Sequence, residues 1–305
     1  MKHNYEKMTD KSKAILNVNL ATILFGFTPL FGKILNFSAV LIVEGRMFFA
    51  ALSLFLAVLI KKDKLFGGTF SEYFRYARQG FLLCIVLVAY YKSIQVSTVA
   101  IGNLSYATFP IFLVFTESFS FKEKLRWGDF VSAFLVILGV YFMIPKFELG
   151  NSVTQGVLWG LLSGFSLAFL FVVRRKAVSE SKSSLVTTFY EQFFCFIFLM
   201  PLAIYFYDPV MMVPQSLGYL ALLGVLFSAY PFYLLISSLA HVKAKLAGII
   251  ISVEPVYGVI LAIVLLKEIP DWKTLVGGGV ILFAAFYETM RSGKDRKEEL
   301  PLSVE

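Results

Sequence analysis

Several ionisable side chains lie within long apolar stretches of this chain, where a charge is costly and indicates a functional role, and three of them are candidates for the site. They are Arg46, Glu191 and Glu254. The planar guanidinium of Arg46 can bind a carboxylate through two parallel hydrogen bonds, although Arg46 can also extend outward or pair with another helix. Glu254 can carry a proton, bind an amine or accept hydrogen bonds from the backbone. Glu191 either adds to a polar centre or lies near the cytoplasmic face.

Two prolines, Pro110 and Pro255, interrupt apolar stretches in the two halves of the chain. Proline lacks a backbone N–H and leaves a carbonyl without its helical partner. Paired interruptions of this kind indicate the binding site of a transported solute, and the alternative is two kinks that only shape a cavity. Tyr106 and Tyr257 lie close to these prolines and are candidate lining residues. Trp159 can stack on a substrate ring or anchor its helix at the outer interface.

Catalytic and channel chemistry have little support in the sequence. Residues 164–168 loosely match a G-x-S-x-A nucleophile pattern, but Ser166 needs a base, and the internal histidine, His241, belongs to a distant turn. A G-x-x-x-x-G-K-[ST] phosphate loop and a recognisable pore filter are absent from the sequence. Cys84 and Cys195 lie in apolar stretches and are interpreted as packing residues. We therefore predict no enzyme activity, no metal site and no cofactor.

These residues must be positioned by membrane-spanning helices. Of the 305 residues, 58% are hydrophobic and only 16% are charged, and the mean hydropathy is +0.76. Apolar stretches of about twenty residues, each long enough to cross ~30 Å of hydrocarbon, recur along the whole chain. We predict ten spans, numbered 1 to 10 in chain order: Ala14–Leu35, Ala39–Ile60, Gly80–Val96, Val99–Phe119, Gly128–Ile144, Gln155–Val173, Ser184–Tyr205, Ser216–Ser237, Leu246–Leu266 and Lys273–Met290.

The net charge of +8 predicts orientation rather than nucleic-acid binding. Lys and Arg number 22 in one set of alternating segments and only four in the other set. Since basic segments stay in the cytoplasm, both termini are predicted to be cytoplasmic. The Lys-rich N-terminus leads into an apolar stretch that is too long for a cleaved signal peptide, so span 1 is predicted to be retained.

The chain contains an internal duplication. When it is shifted by 145 residues, Pro110 meets Pro255, Lys122-Glu123 meets Lys267-Glu268, and Trp127 meets Trp272. Apolar composition alone does not align these residue types, and one register holds without a gap over about a hundred residues. Each copy has five spans, so the second copy enters the membrane in the opposite orientation. Inverted repeats of this kind are a common plan of transporters. In this register Glu191 matches Arg46.

These motifs resemble the drug/metabolite transporter superfamily, and in particular its EamA-type ten-span members. The resemblance is carried by Pro110, Lys122-Glu123 and Trp127 with the Gly139-containing span 5, and again by Glu254-Pro255, Lys267-Glu268, Trp272 and Gly277. It covers roughly residues 15 to 290. It implies a permease, often an exporter, for amino acids, nucleobase-like compounds or other small metabolites.

We therefore predict an all-α integral membrane protein of the cell (inner) membrane, with two inverted five-helix repeats. The predicted parts are a cytoplasmic tail (1–13), the first repeat (14–145), the second repeat (155–290) and a second cytoplasmic tail (291–305). The predicted function is transport, in the direction of export, of a small metabolite such as an amino acid around a central cavity. The alternatives are nucleobase-like, sugar or cationic drug-like substrates, a channel or an intramembrane enzyme. The predicted partners are the substrate and the lipid bilayer, with no nucleic acid.

Gly156, Gly160 and Gly164 leave one face of span 6 without side chains, for packing between spans or across a homodimer.

Overall fold

The structure is a computed structural model that describes residues 2–65, 68–122, 124–144, 147–177, 183–238, 241–242, 247 and 250–295. Every secondary-structure element in these ranges is a helix. Spans 1 to 5 comprise Lys2–Phe27 with a 3-10 turn at Thr28–Leu30 and a short helix at Phe31–Ile34, then Ala39–Lys61, Phe70–Val96, Val99–Tyr106 with Phe109–Phe121, and Trp127–Met143. Spans 6 to 10 comprise Ser152–Ala177, Ser184–Tyr205, Pro214–Gly224 with a π turn at Val225–Ala229 and Tyr230–Ser238, Glu254–Leu261 with a π turn at Ala262–Leu266, and Trp272–Asp295.

Seven helical stretches of the described chain are long and apolar enough to cross a membrane, namely Asp10–Ile34, Ala39–Lys61, Phe70–Val96, Val99–Phe121, Ser152–Arg174, Leu185–Tyr205 and Pro214–Leu235. Two shorter apolar helices cover Trp127–Met143 and Glu254–Leu266. The predicted start of span 9, at Leu246, lies outside the described residues. The prediction of an all-helical, multi-pass membrane protein is confirmed.

Local sequence explains where several spans begin and end. Span 3 begins with a capping box, in which Thr69 Oγ1 accepts from the Glu72 N–H and Glu72 accepts from the Thr69 N–H. Lys62, Lys122 and Lys267 each end a helix in the left-handed region, with φ of 56°, 57° and 55°. This conformation stops the helix. Lys122 and Lys267 are equivalent positions of the two copies, so both copies end this helix in the same way.

Spans 4 and 9 are broken at their prolines. In span 4 the first helix ends at Tyr106, and the second begins at Phe109 with Pro110 as its second residue. In span 9 a turn precedes the helix that begins at Glu254, and Pro255 is again the second residue. Proline suits this position because the first N–H groups of a helix have no intrahelical partner. Irregular backbone of this kind is tolerated inside a membrane protein only where it is buried or lines a cavity.

The packing of the spans has an internal two-fold pattern. Spans 3 and 6 pack together, and so do their equivalents in the other copy, spans 8 and 1. Spans 4 and 6 pack together, and so do spans 9 and 1. The pairs 2 with 7 and 5 with 10 are their own equivalents, and both pairs are in contact. The duplication seen in the sequence is therefore also a duplication of helix contacts.

Two glycines show how closely this symmetry is kept. A Cβ on Gly80 of span 3 would lie 2.6 Å from Phe194 Cβ and 2.8 Å from both Cys195 N and Glu191 O of span 7. A Cβ on Gly224 of span 8 would meet the equivalent atoms of span 2, at 2.7 Å from Phe49 Cβ, 3.0 Å from Ala50 N and 2.6 Å from Arg46 O. Spans 3 and 7, and likewise 8 and 2, are thus in backbone contact.

The sequence predicted a constant offset of 145 residues between the two copies. The equivalent glycines Gly80 and Gly224 are 144 residues apart, so the offset changes within span 3 and span 8. The π turn at Val225–Ala229 follows Gly224 directly. A π turn holds one residue more than the α-helical path. The offset between the copies therefore returns to 145 at Ser93 and Ser238.

The glycine face of span 6 is used within the chain. A Cβ on Gly156 would lie 2.1 Å from Ser97 Oγ, and a Cβ on Gly160 would lie 2.4 Å from Ser105 Cβ. A Cβ on Gly164 would lie 3.1 Å from Tyr106 O. The missing side chains therefore let span 6 approach span 4 and the turn before it.

Candidate functional site

Arg46 is the centre of the candidate site. Its side chain is 4% exposed, and its Nε donates to Ser228 Oγ at 2.7 Å. Ser228 Oγ donates in turn to the Leu223 carbonyl at 2.7 Å, across the π turn of span 8. One Nη donates to Tyr91 Oη at 3.3 Å. The remaining Nη has no hydrogen-bond partner among the described residues, so one edge of the guanidinium is fixed and the rest can bind a ligand.

Tyr91 joins this arginine to span 1. Its hydroxyl donates to the Thr28 carbonyl at 3.3 Å, within the 3-10 turn that interrupts the span. Thr28 Oγ1 donates to the Phe227 carbonyl in the π turn of span 8, also at 3.3 Å. The site is therefore assembled where spans 1 and 8 depart from α-helical geometry, which frees backbone groups for other partners.

A row of aromatic rings leads away from Arg46. The guanidinium carbon lies 6.0 Å from the centre of the Tyr91 ring, within the range of a cation–π contact. Neighbouring ring centres in the row are 5.0 to 6.1 Å apart. At the far end, Arg174 lies 5.7 Å from the last ring. We call this row the aromatic ladder; its members are Tyr91, Tyr90, Tyr106, Phe109 and Phe171.

Glu254 faces the same centre. It is the first residue of the second part of span 9, directly before Pro255, and it is half-buried. Its carboxylate interacts electrostatically with Arg46, Tyr90 and Tyr106. No hydrogen bond joins Glu254 to Arg46 within the described chain, so a positive and a negative group share one site without neutralising each other directly.

Asn103 is a further member of the site. Its Oδ1 accepts a short hydrogen bond from Tyr90 Oη, and its buried Nδ2 has no hydrogen-bond partner in the described structure. Asn103 also lies against the backbone of Gly258, which carries no side chain that could displace it. Sequence reasoning missed Asn103 and Ser228. The available signal was an uncharged polar residue in an apolar stretch, next to a proline break for Asn103.

Glu191 belongs to a different pair. Arg174 Nε donates to Glu191 Oε2 at 3.0 Å, and Arg174 Nη2 donates to Glu191 Oε1. Glu191 is 4% exposed and lies two turns into span 7, whereas Arg174 lies in the last turn of span 6. The structure therefore brings Arg46, Tyr106 and Glu254 together and places Glu191 at the other end of the aromatic ladder.

The other predicted site residues lie at the margin of this centre. Pro110 and Pro255 are buried at the two helix breaks and set the course of the backbone. Tyr257 is half-buried, and its Cβ packs against Gly26 of span 1. Trp159 is half-buried on span 6, and within the described structure it makes no ring stacking or cation–π contact. Trp159 is therefore not part of the aromatic ladder.

Hydrogen bonds join the two copies at both ends of the bundle. At the end that the charge pattern places outside, Glu268 Oε1 accepts from the Val99 N–H at 2.7 Å. At the opposite end, Ser183 Oγ donates to Asp63 Oδ2 at 2.9 Å and Tyr190 Oη donates to the Leu65 carbonyl at 2.6 Å. An open depression lined by Lys33, Asn36, Gln95 and Asp208 lies at the end that the charge pattern places outside, and Arg46 is not among its lining residues.

Fold and site together define a multi-pass membrane protein with a polar centre between two similar halves. The sequence profile of the EamA-like transporter family matches this chain twice, at residues 12–144 and 154–289. The chain therefore belongs to the EamA-like transporter family, and the resemblance to the drug/metabolite transporter superfamily is confirmed.

Several known proteins are similar to this chain. The uncharacterized transporter YxxF of Bacillus subtilis (strain 168) is 25% identical over 292 residues, which are 93% of this chain and 92% of YxxF. The biotin transporter of Escherichia coli (strain K12) is 22% identical over 206 residues, 64% of this chain and 68% of that protein. A crystal structure described only as that of a protein has a TM-score of 0.63 at 16% identity, covering 95% of this chain and 99% of that one. It shows the fold alone.

The family and its transporter relatives define the general activity as membrane transport of small molecules. They also place the chain in the cell (inner) membrane as a multi-pass integral protein.

Proposed function

We propose that the protein exports a small amphipathic carboxylate, such as an amino acid, by alternating access around Arg46. The observation that carries this proposal is the buried guanidinium, which is held on one edge by Ser228 and Tyr91 and keeps an Nη without a hydrogen-bond partner among the described residues. A buried cation whose donor groups are not all hydrogen-bonded is costly, and an anionic substrate would supply the missing acceptor. The outward direction is taken from the family resemblance.

Glu254 extends the proposal to zwitterions. An amino acid carries an ammonium group next to its carboxylate, and Glu254 and Arg46 offer the complementary charges in one site. The aromatic ladder beside them favours substrates with an apolar or aromatic side chain. If transport is coupled to protons, Glu254 is the proposed proton carrier, because a carboxylate can lose its proton to water on one side and regain it on the other.

The pseudo-symmetric packing supports alternating access. Each copy contributes five spans, and an odd number inverts the second copy relative to the first. The bonds from the Val99 N–H to Glu268 and from Ser183 to Asp63 join the two copies at opposite ends of the bundle. In the proposed cycle these two sets of contacts open in turn. Cytoplasmic termini remain the prediction of the Lys and Arg distribution.

A second candidate is a carboxylate without an amine. It is favoured by the similarity to the biotin transporter of Escherichia coli, together with Arg46 and the aromatic ladder. Such a substrate would need Arg46 but not Glu254. The variant Glu254→Gln therefore separates the two candidates, since it removes the negative charge and keeps the size of the side chain.

The test is uptake of labelled compounds into proteoliposomes that contain the purified protein, with and without a pH gradient. A mixture of amino acids is compared with biotin. Saturable amino-acid flux that Glu254→Gln abolishes is the expected result. Saturable biotin flux that Glu254→Gln leaves intact would support the second candidate. Absence of both fluxes would refute a carboxylate substrate and direct the search to nucleobases, sugars and cationic compounds.

A further inference from the structure

The two cysteines of the chain meet at a contact between the two copies. Cys84 lies on span 3 in the first copy, and Cys195 lies on span 7 in the second. Their Sγ atoms are 3.1 Å apart, and Cys84 Sγ lies 3.3 Å from the Cys195 carbonyl oxygen. The residues are 6% and 0% exposed, and both are free thiols.

The backbone itself holds these thiols together. Gly80 lies one turn before Cys84 on the same face of span 3, where its missing side chain leaves the backbone in contact with Cys195 N. The approach of the sulfur atoms therefore follows from the crossing of the helices rather than from one flexible side chain. A disulfide bond is about 2.05 Å long, so the sulfur atoms need to move by roughly 1 Å.

We propose that Cys84 and Cys195 are a redox modification site, at which a disulfide ties the first copy to the second and stops transport. The arrest of transport rests on the alternating access proposed above, because a covalent bond across spans 3 and 7 prevents the copies from moving past each other at this crossing. Formation of the bond itself does not depend on alternating access; it requires the close approach of the two thiols and an oxidant.

The reaction is a two-electron oxidation. Two thiols and one organic hydroperoxide give one disulfide, one alcohol and one water. One thiolate attacks the peroxide oxygen and forms a sulfenic acid, and the alcohol leaves. The second thiol then attacks the sulfenic sulfur, the S–S bond forms and water leaves. A membrane-soluble hydroperoxide is the appropriate class of oxidant, because both thiols are buried within the spans.

The equivalent crossing, between spans 8 and 2, has no pair of thiols. There Gly224 takes the place of Gly80, Ser228 lies one turn after it, and Ala50 takes the place of Cys195. The thiol pair is thus confined to one of two equivalent crossings. The other crossing holds the bond between Ser228 and Arg46 instead.

The experiment uses the full-length protein in proteoliposomes, treated with cumene hydroperoxide and then unfolded and alkylated. Since the chain has only two cysteines, an intramolecular disulfide must join this pair. It appears as the loss of two hydrogen atoms in the intact mass and the loss of both alkylation sites. Cys84→Ser is the matched control, because it retains Cys195 and cannot form the intramolecular bond. Thermal unfolding and flux are measured on the same samples.

The expected result is a disulfide in the wild type, a higher melting temperature, and flux that stops and returns with dithiothreitol, none of which occurs in Cys84→Ser. Two free thiols after oxidation would overturn the modification site, and a disulfide with unchanged flux would overturn its effect on transport. The thiol count and the melting temperature need no substrate. They therefore decide whether the site exists even where the proposed substrates show no flux.

Discussion

Replacing Arg46 with lysine tests the site most directly. The positive charge stays, but the planar fork is lost, and with it the 2.7 Å bond from Nε to Ser228 and the 3.3 Å bond to Tyr91. A lysine ammonium cannot bind a carboxylate through two parallel hydrogen bonds. The variant therefore separates the geometry of the guanidinium from its charge.

The expected loss can be worked out from these bonds. A hydrogen bond that involves a charged group contributes about 1.5–3 kcal/mol. Losing one of two bonds to the substrate carboxylate therefore lowers the apparent affinity by roughly 10- to 100-fold. Tyr91→Phe removes the long bond from Arg46 to a neutral hydroxyl and the equally long bond from that hydroxyl to the Thr28 carbonyl, for which about 1 kcal/mol each and a several-fold change are expected.

The assay is the concentration dependence of uptake into proteoliposomes. Arg78→Lys is the control, because Arg78 is exposed on span 3 and makes no hydrogen bond or ion pair within the described structure. Thermal unfolding in detergent shows whether Arg46→Lys is folded. Wild-type affinity in Arg46→Lys would refute the reasoning. An equal loss for a substrate analogue without a carboxylate would refute it too, since that loss would come from the shape of the site.

Three further substitutions test individual contacts through the melting temperature of the protein in detergent. Glu191→Gln removes the negative partner of Arg174, so we expect a loss of about 1–3 kcal/mol in stability, and an unchanged melting temperature would contradict the pair. Tyr90→Phe leaves the buried amide of Asn103 without its hydrogen-bond donor and should cost a similar amount, whereas a neutral result would mean that another donor takes over. Glu44→Gln should keep or raise the melting temperature, because the buried Oε2 of Glu44 has no partner in the described chain, and a marked fall would show that the carboxylate is needed.

Much of the fold could be predicted from the sequence, because each span must match the thickness of the bilayer and each short turn reverses the chain. The breaks at Pro110 and Pro255 were visible for a similar reason, since proline cannot take part in the regular hydrogen-bond pattern. The sequence did not predict that span 6 extends to Ala177, beyond Val173. The last turn of this helix carries basic residues. Basic residues are tolerated at the ends of membrane helices because their long side chains can reach the aqueous interface.

The site could be predicted only in part. Arg46 and Glu254 were candidates because a charge is rare in an apolar stretch. Their common location, and the pairing of Glu191 with Arg174, depend on the rotation and height of helices from different parts of the chain. Ser228 could not be predicted as a site residue for another reason. It faces Arg46 within a π turn, and the extra residue of that turn is not apparent from the 145-residue register.

The π turn of span 8 also determines where the chain tolerates a deletion. Removing one residue from the middle of a regular membrane helix turns everything after it by about 100° and exposes buried faces to lipid. Span 8 already holds one residue more than span 3, which packs through an equivalent glycine without a π turn. Deletion of the partly exposed Leu226 would therefore leave the flanking helices facing their present neighbours. The protein would still assemble, but Ser228 would no longer reach Arg46, so the surplus residue serves the site rather than the fold.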